Sequence, residues 1–168
     1  MIKMRNILVI LSIVFIASCN EGIEPLPEPA EPGFSGTITF IGNWPQDITR
    51  THIVMFKETL EDSTDFNIIN LAYISEEIPS GVSEYQYDTF INASLAGLEP
   101  REYAYLVVAQ SKTESLSLQR KDWFVIGIFC NGTDDPCTGR IDLSSGDILE
   151  NINITCDFDN PPPQPPGG

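Results

Sequence analysis

The sequence predicts an all-β fold, a single-domain β-sandwich of seven to eight short strands. Three observations carry that prediction. Apolar residues recur at every second position in short runs, clusters of Pro, Gly, Asn and Asp separate the runs, and no segment repeats its apolar residues at helical spacing. The strongest run is Leu95 to Gln110, LAGLEPREYAYLVVAQ, in which a Pro-marked turn leads into a strand. Tyr103, Tyr105, Val107 and Ala109 fall on one face of that strand and Ala104, Leu106 and Val108 on the other, so both faces are covered and the strand belongs at the centre of its sheet. A chain of 168 residues with 42% hydrophobic content fills one two-layer core, not two.

The chain in front of the domain has two parts. Residues 1–18 carry a basic end at Lys3 and Arg5, an apolar run from Ile7 to Phe15, and small residues at Ala17 and Ser18, which together form a secretory leader too short to remain as a membrane span. Ile16-Ala17-Ser18-Cys19 resembles the bacterial lipobox, with Ile16 where that pattern usually has Leu. The resemblance implies acylation of Cys19 after cleavage, hence a lipid-anchored protein of the bacterial cell envelope and outer membrane. An ordinary cleaved leader with an incidental Cys is the alternative. Residues 19–33 then alternate Pro25, Pro27, Pro29 and Pro32 with Glu24, Glu28 and Glu31, a composition that favours an extended, self-repelling tether.

The domain is expected to span residues 34–158. Phe34, Ile38 and Phe40 share one face of the first strand, with Ser35, Thr37 and Thr39 opposite. Thr51 to Thr59 is apolar on both faces and reads as an interior strand. Phe66 to Ser75 and Ser83 to Ile91 follow as a third and a fourth, parted by the Pro79-Ser80-Gly81 turn. After Gln110, the polar stretch Ser111 to Lys121 reads as a loop. Asp122 to Cys130, Thr138 to Leu143 and Leu149 to Phe158 supply the remaining strands, and in the last of these Ile152, Ile154, Cys156 and Phe158 face one way. The Pro-rich tail, residues 159–168, lacks the donors to join a ladder and is expected to be disordered.

Leu98-Glu99-Pro100-Arg101-Glu102-Tyr103-Ala104-Tyr105 resembles the signature of transthyretin-like and carboxypeptidase-regulatory-like β-sandwiches, in which Leu, Pro and Gly precede alternating Tyr and Val. Arg101 occupies the usual Gly position. The resemblance implies a fold; it implies no activity, because such modules serve many roles.

The chemistry the sequence offers is sparse. The formal charge is −15, and more negative once Lys3 and Arg5 leave with the leader, which argues against nucleic acid as a partner. His52 is the single histidine and sits in a strand, where a structural role is the simpler reading. No nucleophile motif accompanies it, and no catalytic residue, metal site or cofactor is assigned. Calcium at Asp134 and Asp135, or at Asp157 and Asp159, lacks ligands at the required alternation. Cys130 and Cys137 flank the turn-rich loop NGTDDP and are the candidate disulfide; a pairing of Cys156 with either one is the rival arrangement. Trp44, in the turn before Pro45, is the candidate aromatic for a glycan. The expectation is a non-catalytic, membrane-tethered binding or structural module for a protein partner. A carbohydrate-binding lipoprotein associated with glycan uptake is the alternative.

Overall fold

The computed structural model describes residues 31–95, 97–132 and 136–167. The leader, Cys19 and the tether up to Ala30 lie outside the described residues, as do Asp134 and Asp135.

Among the described residues there is no α-helix. Nine strand segments form one mixed sheet that curls almost into a barrel. Along the chain these are β1 (Gly33–Ile41), β2 (Arg50–Phe56), β3 (Leu71–Ser75), β4 (Glu84–Asp88), β5 (Ala93–Leu95), β7 (Tyr105–Ser111), β8 (Trp123–Ile128), β10 (Ile148–Leu149) and β11 (Ile154–Asp157). The short strands β6 (Glu102–Tyr103) and β9 (Ile141–Asp142) form a separate antiparallel pair. The sheet runs β5, β3, β2, β7, β8, β11 and β1, with β4 paired to β1 as well. Its pairs are antiparallel except those of β1 with β10 and β11.

Curling lets one face of the sheet enclose a core. Phe34 and Ile38 of β1, Ile53 and Met55 of β2, Tyr73 of β3, Leu106 and Val108 of β7, Ile126 of β8, and Ile154 and Cys156 of β11 all turn inward. Strands far apart in the sheet order meet inside it: the Phe34 and Tyr73 rings pack edge to face at 5.7 Å, and Tyr73 Oη donates to Asn92 O in the turn joining β4 to β5. Val54, Phe56, Leu71, Ile74, Val107, Ala109, Trp123 and Val125 form a second apolar cluster on the outer face of β3, β2, β7 and β8, by period-two alternation in β2, β7 and at Trp123 and Val125, and across an irregularity of the β2–β3 register in β3.

The approach of β1 to the returning C-terminal segment depends on one glycine. A side chain at Gly36 would place its Cβ 2.1 Å from the carbonyl oxygen of Ile152. Between β10 and β11 the chain bends at Asn151, which adopts φ 62°. This left-handed conformation suits Asn better than most residues. The bend lets Ile152 N donate to Ser35 O and Asn153 Oδ1 accept from Thr37 N, so the break in the ladder is closed by hydrogen bonds.

Two expectations are corrected. Tyr103 does not share a face with Tyr105: it enters the inner core, because the chain kinks at Ala104, whose N–H donates to Phe56 O. Tyr103 Oη donates to Glu99 O at 3.0 Å and accepts from Glu99 N at 2.9 Å, closing the Pro100 turn in the manner of a tyrosine corner. The third strand begins at Leu71 and not at Phe66, since Asp65, Asn67 and Asn70 side chains bond nearby backbone groups and hold that stretch in turns. Residues 160–167 run beside β8. Their backbone joins no ladder, but the Gln164 side chain accepts from Val125 N at 2.9 Å and donates to Val125 O at 2.7 Å, imitating the peptide group of a neighbouring strand.

Candidate functional site

The outer face of β3, β2, β7 and β8 is not bare. Three irregular segments fold over it. Residues 57–70 are pinned by carboxylates and amides: Asp65 Oδ2 accepts from Glu61 N and Asp62 N, and Asn67 Oδ1 accepts from Ile69 N and Asn70 N. This sets Phe66 on Phe56, with ring centroids 5.4 Å apart. Residues 112–119 bring Leu116 and Leu118 across the face, held by Trp123 Nε1 donating to Ser117 O. The tail supplies Pro165.

Beneath them lies a cavity of about 40 Å³ with almost purely apolar walls, among them Val54, Leu71, Val107, Trp123 and Val125. Leu116 and Leu118 close it loosely, being 46% and 56% exposed. Asn67, Ser117, Tyr105 and Arg120 are the polar residues that contribute to its wall. Burial pushes the Tyr105 hydroxyl up to about 12, so it remains a neutral phenol. Arg120, in the short 3₁₀ turn Arg120–Asp122, is 4% exposed. Its Nη1 donates to Trp123 O and its Nη2 to Pro165 O, while Nε has no partner. Burial lowers its pKa from the ordinary arginine value, yet guanidinium stays charged. Among the described residues no carboxylate bridges it, whereas Arg50, Arg101, Lys112 and Arg140 each meet an acid.

A second feature lies at the pole where the chain enters the domain. Phe90 sits against Gly33 in the Asp88–Asn92 turn, and Gly33 pairs with Ile148. Phe90, Ile91 and Ile148 are 50%, 73% and 60% exposed, which leaves an apolar rim beside the start of β1.

The residues singled out in the sequence fall elsewhere. His52 is buried on β2, with Nδ1 3.0 Å from Ser75 O, Nε2 unpartnered, and its ring edge to face with Trp123 at 5.9 Å. Desolvation lowers its pKa and keeps the imidazole neutral at pH 7. Trp44 is half-buried. Its ring packs on Phe40 and Phe158 at 4.6 and 5.1 Å and its Nε1 donates to Val82 O, so it closes one end of the inner core. Cys130 and Cys137 are joined as a disulfide, and Cys156 is a buried thiol that desolvation pushes up to about 12, which sets aside the rival pairing. Asp159 N donates to Asp157 Oδ1, and among the described residues no three His, Cys, Asp or Glu side chains converge as a metal cluster.

Arg120, Tyr105 and the roof were missed in the sequence. Their signals were slight: two leucines alternating inside the polar run Ser111 to Lys121, and a glutamine set among the prolines of the tail. No protein-family model, no curated protein and no solved structure matches the chain.

Proposed function

We propose that this chain is a non-catalytic β-sandwich module of the bacterial cell envelope, anchored through acylated Cys19, that binds a protein partner. The observation that carries the reading is the placement of the exposed apolar rim: Phe90 and Ile148 flank Gly33, where the tether joins the domain, and Ile91 follows Phe90 in the same turn. Thirteen residues of Pro-rich chain between Cys19 and Gly33 span about 40 Å when extended, enough for a partner to lie between domain and bilayer. The tyrosine corner at Tyr103, a device of Greek-key sandwiches, supports the sandwich assignment. His52 is packed edge to face on Trp123 with Nδ1 at the Ser75 carbonyl, as expected of a structural histidine. A glycan platform finds no such support, because the Trp44 ring and N–H are both engaged.

Two measurements test the reading. Palmitate labelling and membrane partition of the full chain are expected in the wild type and lost in Cys19→Ala; a wild type that partitions to the soluble fraction without label refutes the anchor. A photo-crosslinking residue at Ile91 is expected to give a discrete protein adduct in cells, and one at Ile69, 80% exposed on the 57–70 loop, to give none. Equal adducts at both positions, or none at Ile91, refute the contact surface.

A further inference from the structure

We propose that the outer-face pocket is a binding site for a straight-chain alkyl monocarboxylate, with Arg120 as the partner of its head group. The site does not depend on the anchor at Cys19 or on the rim around Gly33.

The first ground is an unmatched charge. Arg120 is the buried cation of an acidic domain, and it is held by two carbonyls with one N–H left over. A buried guanidinium is expensive to leave without an anion, and carbonyl oxygens compensate only part of the lost hydration. Nature's usual solution is a carboxylate accepting two parallel N–H bonds, and Arg120 has Nε available for one of them. Among the described residues no acid is bridged to it: Asp122, the acid nearest in sequence, accepts instead from Ser117 Oγ.

The second ground is the shape and lining of the space beside it. Side chains of four strands make the floor apolar, and Tyr105 adds a neutral phenol near Arg120. A cavity of about 40 Å³ is too small for any ligand beyond a water or two as it stands, so a hydrocarbon must enter by displacing the roof. A slender alkyl chain enters by lifting Leu116 and Leu118, which are already half out, without disturbing the floor strands. Those two features select the ligand: one negative charge at the Arg120 end, and an unbranched hydrocarbon under the leucine roof.

The test uses the full chain carrying Cys19→Ala, so that no protein-bound acyl chain competes for the pocket, and Trp44→Phe, so that Trp123 alone reports by fluorescence. Octanoate is expected to give a saturable change in Trp123 emission, and 1-octanol to bind at least about tenfold more weakly, the discrimination expected of a charge-assisted hydrogen bond. Arg120→Met is expected to bring octanoate to the level of octanol. Absence of saturable octanoate binding, equal affinity for acid and alcohol, or discrimination surviving in Arg120→Met overturns the site. Should Arg120→Met fail to fold, carboxyl-labelled octanoate decides by NMR: bound beside a guanidinium, its carboxyl is expected to titrate below the value of the unbound acid. Titration at or above that value overturns the site equally.

Discussion

Gly36→Ala tests how the two ends of the domain meet. The added Cβ would lie 2.1 Å from Ile152 O, 2.6 Å from its carbonyl carbon and 3.0 Å from its nitrogen. Ordinary contact between carbon and a carbonyl oxygen begins near about 3.3 Å, so the segment from Asn151 to Asn153 must retreat by about 1 Å. Backbone cannot swing aside as a flexible side chain does. Retreat strains three hydrogen bonds at once: Ile152 N to Ser35 O at 3.0 Å, Thr37 N to Asn153 Oδ1 at 2.9 Å, and Tyr87 Oη to Ile152 O at 2.6 Å. At about 1 kcal/mol each the loss is about 3 kcal/mol, reduced by about 0.5 kcal/mol because alanine restricts the unfolded chain. Urea unfolding should therefore show a loss of about 2.5 kcal/mol with an unchanged m-value. Gly81→Ala is the control, with φ +85° and nothing within 4 Å of its Cβ; backbone strain alone gives a loss of about 1 kcal/mol there. A Gly36→Ala protein as stable as the wild type, or no less stable than Gly81→Ala, refutes the close parallel approach of β1 to residues 148–157.

Further predictions concern titration, thiols and the tail. The folded pKa of His52 is lowered below its ordinary 6.5 by burial, so the unfolded chain binds its proton first. Stability is then full above about pH 6.5 and declines as pH falls from there toward the folded pKa; His52→Gln should flatten the melting temperature across that interval. Asp62 and Asp142 are also lowered, from 3.8, by hydrogen bonds from Thr64 and Ser144, so any decline they cause begins lower, near pH 4. Iodoacetamide should label no thiol of the described domain in the native state and Cys156 alone after denaturation without reductant, with Cys130 and Cys137 labelled only after reduction. Peptide mapping reads the three states; native labelling of Cys156 contradicts its burial. Gln164→Ala removes both bonds to Val125 and should speed amide exchange at Val125 by about tenfold, equivalent to about 1.4 kcal/mol; unchanged exchange means the tail does not cover that edge.

What the sequence discloses follows from the range of the signals. Faces of β1, β2 and β11 are legible because alternation is local: Ile53 and Met55 point in, Val54 and Phe56 out, whatever their partners. The same rule fails at Tyr103, where a single kinked residue exchanges the faces and the tyrosine hydroxyl is claimed by Glu99. It fails again at Phe66 to Asn70, where alternation is present but Asn and Asp side chains compete for the backbone. Parallel pairing of β1 with residues more than a hundred positions away leaves no local trace. Trp44 looks exposed in its turn because Phe40 and Phe158 arrive from distant segments. The pocket is least legible of all, since its floor is four strands, its roof two loops and a tail, and Arg120 lies in a run with the composition of a solvated loop.

Intact-mass analysis of the protein extracted from envelopes is the most direct measurement of the proposed anchoring through Cys19. A chain that begins at Cys19, heavier than its peptide mass by a diacylglyceryl group with or without a third acyl chain, is the predicted result. A chain that retains residues 1–18, or one that carries an unmodified Cys19, contradicts it.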